Sequence, residues 1–86
     1  MDASKILKYP VSNEKTIRMI ESENKLTFIV DKAARKADVK KAVEQMFNVK
    51  VEEVRIVNDM KGAKKAYVKL SKENPAIDIA TQLGLM

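Results

Sequence analysis

Apolar residues repeat along this chain with two different periods, and the switches between them mark its elements. Leu26, Thr27, Phe28, Ile29 and Val30 are β-formers in one run and read as a buried strand. Val39, Ala42, Val43, Met46 and Phe47 then fall at i, i+3, i+4, i+7 and i+8, one face of an amphipathic helix. Lys36, Lys40, Lys41, Glu44 and Gln45 lie outside that stripe, and Asp38 in the first turn complements the helix dipole. Strand chemistry returns over 49–57, followed by a hairpin turn at Asp59, Met60, Lys61 and Gly62. In the next strand, 63–70, Ala66, Val68 and Leu70 share one face while Lys65, Tyr67 and Lys69 take the other.

The two ends are less regular. Residues 1–11 lack helical periodicity and contain Pro10, which predicts an extended arm with a short strand near Ile6 and Leu7. Ser12 or Asn13 caps a short helix running to about Ser22, with Ile17 and Ile20 as its narrow stripe. Residues 23–25 form a turn. Asn74 as N-cap and Pro75 at the first helical position open a last helix that runs to Leu83 and stops at Gly84. A right-handed crossover makes strands 26–30 and 49–57 parallel, with the hairpin partner 63–70 inserted between them in a split β-α-β arrangement. The predicted class is α+β: a mostly antiparallel sheet with helices packed on it. The pattern leaves open which sheet face the terminal helices cover.

Composition narrows the function. At 86 residues the chain reads as one domain, and 45% hydrophobic residues with two glycines and two prolines describe an ordered one. No apolar run is long enough to span a bilayer and no signal-peptide pattern opens the chain, so the expectation is a cytosolic protein without membrane insertion. Cysteine and histidine are both absent, which removes thiol nucleophiles, imidazole bases, disulfides and cysteine-based zinc sites together. No nucleophile–base pair, calcium loop or phosphate-cradling glycine loop can be assembled, so neither catalysis nor a cofactor is expected. The net charge is +5, from 17 basic and 12 acidic residues, and suits a polyanionic partner.

Two basic groupings stand out. Lys32, Arg35, Lys36, Lys40 and Lys41 surround a helix N-terminus, where backbone N–H groups already favour phosphate. Lys64, Lys65, Tyr67 and Lys69, with Arg55 on the neighbouring strand, interleave an aromatic with cations as nucleic-acid surfaces do. The bland alternatives are a solvated helix face and a Tyr67 that packs beneath the terminal helix. An RRM-like stacking pair is missing, so phosphate contact and shape recognition are the chemistry on offer.

The pieces N-K-x-T-F-x-V-D from Asn24, A-x-K-x-x-V-K-x-A-V-E-x-x-F and V-K-V-x-x-V follow one another to Val54. Lys8-Tyr9-Pro10-Val11 with Glu14-Lys15 precedes them, and Lys64 to Leu70 follows. In this order they resemble the L23 family of large-subunit ribosomal proteins, from about Ile6 onward. The ending from Asn74 to Ala80, with Leu83 and Gly84, resembles the archaeal and eukaryotic branch. The resemblance implies a ribosomal, rRNA-binding domain over 1–86 at the rim of the polypeptide exit tunnel, in contact with large-subunit rRNA and neighbouring large-subunit proteins. Its implied rRNA-contacting set is Lys8, Tyr9, Lys15, Lys32, Arg35, Lys36, Lys40, Arg55, Lys64, Lys65, Tyr67 and Lys69. The family's docking glutamate matches Glu14, and the implied factor is the signal recognition particle or a nascent-chain-associated complex. Between Val57 and Lys64 the chain lacks the long basic arm of bacterial members. The competing reading is a free-standing α+β protein-interaction module with solvated basic patches.

Overall fold

A computed structural model describes residues 3–59 and 61–85. The elements run α1 (Ala3–Ile6), β1 (Leu7–Pro10), α2 (Glu14–Glu23), β2 (Lys25–Val30), α3 (Lys36–Phe47), β3 (Val51–Asn58), β4 (Lys64–Leu70) and α4 (Ala76–Gln82). The sheet order is β1-β2-β4-β3, and every neighbouring pair is antiparallel. β4 therefore lies between the mutually parallel β2 and β3, the split β-α-β arrangement expected from sequence. No helix among the described residues is long and apolar enough to cross a membrane.

Alternation builds the core. Leu26, Phe28 and Val30 of β2 share a face with Ala66, Val68 and Leu70 of β4, and all are buried. Val39, Ala42 and Val43 of α3, Ala76, Ile79 and Ala80 of α4, and Ile20 of α2 close over that same face. The face covered by the last helix is thus the one covered by α3. Ile29 is buried too but lies outside the core cluster, because its odd position turns it to the opposite face.

Several expectations are corrected. Residues 3–6 form a helical turn instead of an extended arm. Ile6 is drawn into the core, and its carbonyl accepts the Asp31 N–H at 3.0 Å; four residues are too few to show a period in sequence. The edge strand starts after it, at Leu7, and tolerates Pro10 because an edge needs no second ladder. Met46 is 49% exposed, although it falls on the α3 stripe. The Phe47 ring fills that last turn against Phe28, with ring centroids 6.1 Å apart, and Met46 is turned outward. A bulge between Val51 and Glu53 lets both Val51 and Val54 be buried although they are three apart.

α4 begins at Ala76, with Pro75 in the cap position and no side-chain cap of its own. Asn74, expected to cap it, accepts the Lys50 N–H instead, and Asn24 takes over the Ala76 N–H. At the other end Gly84, at φ 76, donates to Thr81 O while Leu85 N–H reaches Ala80 O, a Schellman stop. The β3–β4 connection closes through Gly62 N–H to Asp59 O at 3.0 Å, with Gly62 at φ 84. Met60, part of the expected turn, lies outside the described residues.

Candidate nucleic-acid interface

The sheet face away from α3 and α4 carries the polar halves of the strands. Strand register sets side chains in rows across β2, β4 and β3: Lys25, Lys69 and Glu53; then Thr27, Tyr67 and Arg55; then Ile29, Lys65 and Val57. Tyr9 on β1 stands opposite Ile29 and extends the last row, 57% exposed. Tyr67 is half-buried at the middle of this face. It does not pack beneath the terminal helix, which covers the other side of the sheet.

α2 lies against β2, with Ile20 in the core and Lys15 and Met19 towards this open face. Lys15 and Met19 join Lys25, Arg55, Val57 and Tyr67 around a shallow pocket of about 160 Å³. A second pocket of about 140 Å³ is lined by Lys25, Glu53, Arg55, Tyr67 and Lys69. Lys25 is 3.7 Å from Glu23 and Lys65 is 3.9 Å from Asp59, so each has a carboxylate neighbour. Lys15, Arg55 and Lys69 form no salt bridge among the described residues, which leaves the face with an excess of positive charge.

Adjacent residues of β4 part ways. Lys64 belongs to the helix side of the sheet, where its Nζ donates to Lys32 O at 3.1 Å and to Ala34 O at 2.6 Å. That ammonium holds the loop leading into α3, and so is separated from Lys65, Tyr67 and Lys69. Because Val30 pairs with Lys64, this loop leaves β2 at the end of the sheet where β4 begins.

The cations of this loop and of the start of α3 point outward. Lys32, Arg35, Lys36 and Lys40 are all exposed. Arg35 is the N-cap of α3 in extended conformation, and its N–H donates to the Asp38 carboxylate at 3.1 Å. Asp38 therefore tightens the start of the helix while the lysines stay free of it. On the β1 edge Lys8 is exposed beside Tyr9. Glu14, the first residue of α2, accepts from Arg18 at 3.1 Å, with both side chains largely in solvent.

The structure adds Lys25 and Met19 to the surface that sequence reasoning had outlined. Lys25 lies in what read as a turn, and its alternation with Thr27 was the available signal. Met19 reaches this face only because α2 packs against β2. Among the described residues no group of acidic side chains is placed to hold a metal ion.

A family profile for ribosomal protein L23 matches residues 5–65. The chain is also 47% identical over 85 residues to the large ribosomal subunit protein uL23 of Methanococcus aeolicus, with 99% of each chain covered.

Proposed function

This chain belongs to the ribosomal protein L23 family, and from that premise we propose that it anchors large-subunit rRNA at the rim of the polypeptide exit tunnel. The family is structural and not enzymatic, and its members are constituents of the large subunit of the cytoplasmic ribosome. One observation carries the RNA reading. Lys15, Lys25, Arg55, Lys65 and Lys69 gather on a sheet face that α3 and α4 leave uncovered, around the half-buried Tyr67. Such a surface neutralises phosphates and releases their counterions. Lys8 and Tyr9 on the β1 edge, Lys32 and Arg35 on the loop into α3, and Lys36 and Lys40 at the start of α3 extend it. The whole chain acts as one rRNA-binding domain, seated against neighbouring large-subunit proteins.

The short connection between Asn58 and Lys64 suits a place at the rim and not within the tunnel. Exposed Glu14 offers a contact for the signal recognition particle or a nascent-chain-associated complex.

Co-sedimentation is the direct test. The protein should remain with large subunits through a high-salt wash that strips loosely bound proteins. A free-standing interaction module would be released by it.

A further inference from the structure

We propose that the two pockets flanking Tyr67 and Arg55 form a seat for one unpaired ribonucleotide, with the base against the Tyr67 ring and the sugar–phosphate over Lys25 and Lys69. The proposal rests on the rRNA-binding reading and says which part of an RNA this face takes. The pockets share Lys25, Arg55 and Tyr67, so they are two compartments of one depression.

The compartments differ in chemistry. Towards α2, Met19 and Val57 stand beside the tyrosine within a rim of Lys15, Lys25 and Arg55, and Val57 is 41% exposed. This is apolar surface next to an aromatic ring on an otherwise cationic face, and a solvated lysine surface gives no reason for it. A nucleobase is the flat, apolar-faced part of an RNA that such a compartment fits. The other compartment sets Lys69 and Glu53 beside Lys25. The lysines attract phosphate. Glu53 repels it, but a carboxylate accepts a hydrogen bond from the ribose 2′-hydroxyl, the group that distinguishes RNA from DNA.

Bases within a duplex are stacked and paired, so a sheet face reaches one only where it is splayed out of a loop or bulge. A lone aromatic seats one base, and stacking on it tolerates any base identity. The seat thus selects for an unpaired position in the RNA and not for a sequence.

The test uses the intact protein and three labelled probes: a single-stranded oligoadenylate, its deoxy counterpart and an RNA duplex of equal charge. Tyr67→Leu should weaken binding to the single-stranded RNA about tenfold while leaving the duplex affinity unchanged. Tyr67→Phe, which keeps the ring, should stay within roughly twofold of wild type. Glu53→Ala should lower the preference for RNA over DNA by about tenfold, the size of one hydrogen bond to a charged acceptor. Thermal melts check that each variant is folded. A folded Tyr67→Leu that binds single strands as wild type does, or that loses single strands and duplex equally, overturns the seat. If such a variant still binds large-subunit rRNA, only the seat falls; if wild type binds neither rRNA nor any probe, the rRNA reading falls with it.

Discussion

Asn24 and Ala76 are joined by a 2.6 Å hydrogen bond from the Ala76 N–H to Asn24 Oδ1, across 52 positions of sequence. The same side-chain amide donates through Nδ2 to Leu70 O, Ser71 O and Asn74 O at 3.2, 3.1 and 3.2 Å. Its backbone ends α2 in the left-handed region, at φ 56. One residue therefore terminates α2, satisfies the first N–H of α4 and ties down the exit from β4.

Asn24→Ala should destabilise the fold by roughly 2–3 kcal/mol, combining a lost cap with the left-handed penalty on a Cβ residue. Asn24→Gly adopts that conformation freely and should recover part of the loss. Urea denaturation measures both. An alanine variant as stable as wild type would show that the amide does not hold the two helices.

Neighbouring lysines on β4 should behave differently. Lys64→Met keeps the aliphatic stem but removes the bonds to Lys32 O and Ala34 O, and should cost about 1 kcal/mol of stability. Lys65→Met, on the open face, should leave the melting temperature near wild type and lower the salt slope of RNA binding by about one. Equal effects of the two on stability would contradict their placement on opposite sides of the sheet.

Binding of large-subunit rRNA fragments should fall steeply with salt, as phosphate-dominated contacts do. The double variant Lys36→Glu, Lys40→Glu should weaken it and reduce the slope by about one per lost contact. Both side chains are exposed, so circular dichroism should remain native. Filter binding across a salt series reads the outcome, and an affinity indifferent to salt would sink the phosphate reading.

Glu14→Ala should leave the fold and ribosome assembly intact, since exposed ion pairs such as Glu14–Arg18 contribute little to stability. Ribosomes carrying the substitution should bind the signal recognition particle several-fold more weakly, as a lost charge at a protein contact does. Normal recruitment of every nascent-chain factor would remove Glu14 from the docking surface.

The sequence by itself determined the elements from α2 onward and their order, but not the helical turn α1. The stripe of Val39, Ala42 and Val43 and the alternation of Ala66, Val68 and Leu70 are repeats of neighbouring residues, set by helix and strand geometry. From them followed the crossover and the insertion of β4 between its parallel partners. Only the tertiary structure decided that Asn24, and not Asn74, receives the first N–H of α4, and that Lys64 bonds the carbonyls of Lys32 and Ala34. It also decided that Phe47 displaces Met46 from the core, and that α2 brings Met19 and Lys15 to a sheet face shared with Lys25. These are contacts between residues remote in sequence. They depend on which groups meet after the chain has packed, and a distant hydrogen bond or a shared pocket leaves no period along the chain.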